Sequence, residues 1–213
     1  MAEKNIEAIL DRDRFQKSSL TSLETKLEEH IKKQTSDNDQ FMTILKLYQL
    51  YPETFKEDVV IKILAKSLMV LPQSDYVSAL CLISDGAISD KLKEFMALAE
   101  FLETCNFTVF WEKQQSFEST FKNINGFYES IRNFIIDVLI ITYQKIAVND
   151  VLRYLNVDQK ALTTIAEKNG WTSEDKFIRF PLNKHNQAKE KKLAETFSMA
   201  HVEKMISNIQ RSQ

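Results

Sequence analysis

Glycine and proline are scarce, at three of each in 213 residues. Tight hairpins and sheet corners depend on those two residues, so an all-β architecture is disfavoured and helices are expected. Gly stands only at 86, 126 and 170. Neither G-x-x-x-x-G-K-[ST] nor G-x-G-x-x-G occurs, and no loop has the bare backbone to cradle a phosphate. Cysteine occurs twice, at Cys81 and Cys105, outside any C-x-x-C pattern. That points to neither a disulfide framework nor a zinc site, and the two are expected as small core residues of a reducing compartment.

Long apolar runs are missing as well. The opening "MAEKNIEAILDRDRFQKSS" is charged throughout and lacks the apolar stretch of a signal peptide. No apolar segment reaches the ~18 residues a membrane span needs, so a soluble, intracellular chain is expected. Charge of one sign is also lacking: 28 basic against 30 acidic residues give a net charge of −2. Any contact with a polyanion must therefore be local. Catalytic patterns are absent too. His30, His185 and His201 stand apart without H-E-x-x-H spacing, there is no G-x-S-x-G, and Glu28 and Glu29 read as a solvated helix face. No catalytic, cofactor-binding or metal-ligating residue is assigned, and the chain is expected not to be an enzyme.

What is present is helical periodicity. Leu20, Leu23 and Leu27 share a face over residues 19–33, and Phe41, Ile44, Leu45 and Tyr48 follow the i, i+3, i+4, i+7 rule. Pro52 opens a further helix that runs to Leu71-Pro72. Ser74 caps one lasting to Asp85-Gly86, and a helix from Ser89 aligns Leu92, Phe95, Met96, Ala99 and Leu102. That helix stops near Cys105-Asn106, and Phe107, Phe110, Trp111 and Phe117 follow as an aromatic cluster expected in the core between helix layers. Five or six short-linked helices of this kind suggest stacked pairs without a fixed-period repeat. Residues Ser130 to Val148 are apolar nearly all round and predict one central helix joining two subdomains. Its Arg132, Asp137 and Tyr143 need partners wherever they are buried.

From Val151 to Trp171 the chain has the cadence of a helix-turn-helix, turning at Asn156 and Val157. Residues 176–180, "KFIRF", predict a strand, 183–192 a polar loop, 192–197, "KLAETF", a second strand, and a closing helix begins at Ser198. That is the order of a winged helix. Between Val148 and Gly170, Arg153, Lys160 and Lys168 are balanced by Asp150, Asp158 and Glu167. A helix entering the major groove must neutralise phosphate and present donors to base edges, so this one is expected to pack, through Leu152, Leu155, Leu162, Ile165 and Ala166, rather than read DNA. The strongest local charge lies in 176–192: Lys176, Arg179, Lys184, Lys189, Lys191 and Lys192 against Glu190 alone. Of these, Lys184, Lys189, Lys191 and Lys192 are the candidates for RNA phosphate contact, with a plain solvated loop as the other reading. On the closing helix, Val202, Met205, Ile206 and Ile209 form one stripe, which needs either the chain's own surface or the matching helix of a partner.

"ILKLYQLYPETF" at 44–55, "FLETCNFTVFWE" at 101–112, "GFYESIRNFI" at 126–135, "ITYQKI" at 141–146 and "KNGW" at 168–171 together resemble the subunit K family of eukaryotic translation initiation factor 3. The resemblance implies a mainly α fold, with a HEAT-like helical-repeat domain over 1–125 and a winged-helix-like domain with a C-terminal helix over 126–213. Such domains are related to the PCI modules of the proteasome lid and the COP9 signalosome. It further implies a non-catalytic scaffold without cofactors, cytoplasmic with nuclear presence allowed. The implied partners are other subunits of the factor, especially subunit L, and the small ribosomal subunit through the complex. The alternatives are a stand-alone nucleic-acid-binding winged helix, or a PCI-type subunit of the lid or signalosome.

Overall fold

The computed structural model describes residues 15–33, 37–174, 176–188 and 199–211. The fold is mainly α. Helix α1 (Leu20–Lys33) buries Leu20, Leu23, Leu27 and Ile31 against α2 (Asn38–Leu50), which starts at Asp37, whose carboxylate accepts from the Gln40 amide at 3.2 Å. Pro52–Thr54 form a separate 3-10 turn, so the next helix, α3 (Glu57–Leu68), starts five residues later than the proline suggests. It buries Val60, Ile61, Ile63, Leu64 and Leu68, and packs on α4 (Asp75–Leu80), which stops well short of the expected Asp85-Gly86. Helix α5 (Asp90–Glu103) begins at Ser89 as anticipated, the hydroxyl accepting from the Leu92 amide at 3.1 Å.

The aromatic stretch is broken into α6 (Phe107–Lys113), a 3-10 turn and α7 (Glu118–Asn123). Phe107, Phe110, Trp111 and Phe117 are all buried in it. Phe121 stacks on Phe127 with ring centroids 4.1 Å apart, and Phe95 meets Phe117 edge-on at 5.2 Å. The two cysteines correct the sequence reading: both are exposed. Cys105 ends the α5 region in the left-handed conformation, φ 59°, so it sits at a helix stop rather than on an inward-facing helical position.

The long apolar stretch also divides differently. Helix α8 spans Phe127–Thr142 and is followed by a strand, β1 (Lys145–Ala147), where one helix to Val148 is predicted. Gly126, at φ 77°, begins α8 in a conformation that costs a residue with Cβ. Helices α9 (Val148–Leu155) and α10 (Gln159–Asn169) follow, then β2 (Thr172–Glu174), β3 (Phe177–Arg179) and the closing helix α11 (Met199–Gln210). The strands form an antiparallel sheet of order β1-β3-β2, with Ile146 opposite Ile178 and Ser173 opposite Ile178 on its other side. The expected strand over 192–197 lies outside the described residues.

One apolar core runs through both halves, from Leu20 to Phe180. Helix α9 packs on α6 as well as on α8, and α8 reaches α3. At that junction the Trp111 indole donates to the Tyr154 carbonyl at 2.7 Å, and the Arg132 guanidinium lies 5.5 Å from the Trp111 ring while donating to the Leu155 carbonyl at 3.1 Å. These are the partners the sequence required for Arg132. Asp137 and Tyr143 need none, because both are exposed.

Candidate interaction surfaces

The helix-turn-helix stretch is built for packing. Asn156, at φ 48°, ends α9, and Asp158 caps α10 by accepting from the Ala161 amide at 3.1 Å. Leu155 and Leu162 are buried, and Leu152, Ile165 and Ala166 pack against the core. The exposed side of α10 carries Lys160, Thr163, Thr164, Glu167 and Lys168, a mixed face whose single surplus cation is little to neutralise phosphate with.

Alternation divides the small sheet into two faces. Ile146 and Ile178 turn inward, near the edge-on pair Trp171 and Phe180, whose ring centroids lie 4.8 Å apart. The outer face holds Lys145, Phe177, Arg179 and Glu174. Lys145 Nζ lies 3.1 Å from one Glu174 oxygen and 4.7 Å from the Phe177 ring centroid, and Arg179 Nε lies 3.0 Å from the other Glu174 oxygen. The hydrogen bond from Lys145, reinforced by Arg179, holds the Glu174 carboxyl below the ordinary carboxylate range. Two of the cations near the loop are thus already engaged by one carboxylate.

The loop itself is anchored by two asparagines that sequence reasoning missed. Asn186, 8% exposed, donates from Nδ2 to the carbonyls of Pro181 at 3.0 Å and Ile140 at 3.2 Å, while its Oδ1 accepts from the Asn183 amide at 2.9 Å. Asn183 Oδ1 accepts in return from the amides of His185 and Asn186 at 2.8 and 3.0 Å, and its Nδ2 donates to the Ile140 carbonyl at 3.0 Å. The only signal for this in the letters is N-x-x-N in a polar loop, a pattern suited to side chains that bond nearby backbone. The clamp fastens the loop to the end of α8 and leaves Lys184 and His185 exposed. Lys189, Lys191 and Lys192 lie outside the described residues.

Helix α11 buries no residue. Met205 is 58% and Ile209 65% exposed, Val202 and Ile206 are exposed beside them, and Met199 extends the stripe. Among the described residues, none covers this stripe enough to bury it. The expected cap, Ser198, lies outside the described residues. Among the described residues no helix is long and apolar enough to cross a membrane.

Residues 54–192 match the CSN8/PSMD8/EIF3K family. Eukaryotic translation initiation factor 3 subunit K of Culex quinquefasciatus is 35% identical over 198 residues, spanning 92% of this chain and 89% of that protein. The protein of the same name from Aedes aegypti is 32% identical with the same coverage. The one from Caenorhabditis elegans is 31% identical over 224 aligned positions, spanning 96% and 93%.

Proposed function

Because the chain belongs to the CSN8/PSMD8/EIF3K family, we propose that it is a subunit of eukaryotic translation initiation factor 3, a non-catalytic, cytoplasmic scaffold that helps hold that complex together on the small ribosomal subunit. The observation that carries this reading is similarity to proteins named subunit K over about nine-tenths of both chains. In this reading residues 1–125 act as a HEAT-like stack and 126–213 as a winged-helix-like unit with its terminal helix. The order β1, α9, α10, β2, β3 and the strand order β1-β3-β2 support the second assignment.

A scaffold works by surface matching: apolar area on one chain is removed from water by another, at roughly 25 cal/mol per Å². The stripe of Val202, Met205, Ile206 and Ile209 is apolar area of this kind, and a helix of subunit L is the partner we assign to it. The loop with Lys184, Lys189, Lys191 and Lys192 is assigned to ribosomal RNA, through phosphate contact that does not read sequence.

Purification of the tagged chain from cell extract, with mass spectrometry of what co-elutes, tests the assignment. Subunits of the initiation factor are expected; lid or signalosome subunits in their place would overturn it. Met205→Asp with Ile209→Asp should remove subunit L from the eluate. For the loop, RNA titrated against the purified chain at two ionic strengths should bind weakly at low salt and lose that binding steeply at high salt. Absence of binding at low salt assigns the loop to solvent.

A further inference from the structure

The outer face of the small sheet carries exposed aromatic rings as well as charge. Cα partners across a ladder share a face, so the rung of Lys145, Arg179 and Thr172 lies beside the rung of Ala147, Phe177 and Glu174. Phe177 is 44% exposed, and its partner on β1 is only the small Ala147, so that strand sets no bulky side chain opposite the ring. Tyr143, two residues before Lys145, has extended backbone and is 38% exposed. Between them the Phe180 amide donates to the Gln144 carbonyl at 3.0 Å, which carries the pairing of β1 with β3 one residue further toward Tyr143. Along this ladder the order is therefore a ring, two cations and a second ring.

The cations are not cancelled. Lys145 and Arg179 meet the two oxygens of a single carboxylate, Glu174. Counted in sequence, Lys145, Lys176 and Arg179 stand against Glu174 and Asp175 and leave one positive charge, to which the exposed Lys184 adds a second. The asparagine clamp holds the loop of Lys184 at the Tyr143 end, since Asn186 Nδ2 also lies 3.4 Å from the Tyr143 carbonyl oxygen.

A surface of this order is matched by a chain that alternates flat rings with negative charge. Unpaired bases stack on aromatic side chains with little regard to sequence, while phosphates pair with lysine and arginine. A duplex offers the phosphates but keeps its bases stacked inside the helix, so exposed rings add nothing to its binding. An apolar protein segment would use the rings but not the cations between them.

We infer that the outer face of the sheet is a stacking platform for single-stranded RNA, with bases on Phe177 and Tyr143 and the backbone along Lys145, Arg179 and Lys184. The inference rests on the reading of this region as an RNA contact, and adds to it a preference for unpaired strands.

The purified full chain, titrated into a fluorescein-labelled oligouridylate and into an RNA duplex of the same length, tests it by anisotropy at low and high salt. The parent is expected to bind the single strand more tightly than the duplex. Phe177→Leu should weaken single-strand binding by at least about fivefold, the low end of what one stacked base contributes. It should leave duplex affinity and the salt slope unchanged, because no phosphate contact is lost. Phe177→Tyr, which restores a ring, should bind as the parent does. Both variants should melt with the parent, the position being exposed. Lys184→Ala should instead lower the salt slope by about one on both RNAs. If Phe177→Leu binds the single strand as the parent does while Lys184→Ala is weakened, the platform is overturned and the loop contact stands. Duplex preferred by the parent would also overturn the platform, and no binding of either RNA at low salt would remove both readings. Loss of a co-purifying subunit from Phe177→Leu, with RNA binding unchanged, would give the face to a protein partner in place of RNA.

Discussion

At the scale of single residues, two buried polar groups have opposite meanings. Trp111 is a joint: its indole N–H meets the Tyr154 carbonyl and its ring takes the Arg132 guanidinium, so one side chain ties α6 to the end of α9 and to α8. Trp111→Phe keeps an aromatic ring but leaves that carbonyl unpaired, and a buried acceptor without a donor costs roughly 1–3 kcal/mol. Urea denaturation should show a loss of that order with an unchanged slope. Lys66 is the contrary case. It is 2% exposed, and burial alone pulls its ammonium below the ordinary lysine range. A lysine whose folded pKa is depressed costs stability in full while both states are protonated, and the cost fades as pH rises from the folded value toward the unfolded one near ~10.4. Lys66→Met should therefore raise stability by about 1 kcal/mol at neutral pH. The gain should shrink in unfolding experiments taken toward pH 10; a gain independent of pH would place its origin in packing.

At the scale of elements, the turn between α9 and α10 makes the sharpest claim. Asn156 sits at φ 48°, where a side chain with Cβ costs ~1–2 kcal/mol unless it is Asn or Asp bonding locally, and glycine costs little. Asn156→Gly should leave Tm within ~2 °C, while Asn156→Ala should lower it by several degrees for a chain of this size. Equal effects would mean that the turn is not strained. This turn was legible because asparagine, a cap and an apolar pattern are local signals. The end of α8 was not. "IITYQKIAV" is β-branched and apolar in a way that suits a buried helix and a strand equally, and what decides is distant: Asn183 and Asn186 take the Ile140 carbonyl from more than forty positions away, while Lys145–Ala147 pairs with Phe177–Arg179. The exposure of Cys81 and Cys105 was hidden for a similar reason. Each follows the last helical residues of its segment, where periodicity no longer says which way a side chain points.

For the whole molecule, the assignment proposed above makes stability and assembly draw on separate sets of apolar residues. The core from Leu20 to Phe180 is continuous. Ion pairs such as Lys17–Glu53 and Lys93–Asp90 join exposed groups, which by themselves contribute ~0–1 kcal/mol each. Helix α11 lies outside this economy, since its stripe of Met205 and Ile209 is more than half exposed. Surface substitutions away from special backbone change stability by about ±0.5 kcal/mol, whereas a charge placed in a core position unfolds a domain of ordinary stability. Met205→Asp with Ile209→Asp should therefore leave the thermal transition within ~2 °C of the parent chain, while Leu155→Asp, at a fully buried position, should abolish it. That contrast gives the expected loss of subunit L its meaning. A double variant that melts with the parent yet releases its partner has lost an interface; one that melts much earlier has lost a contact within its own fold, and α11 would then belong to the body of this chain.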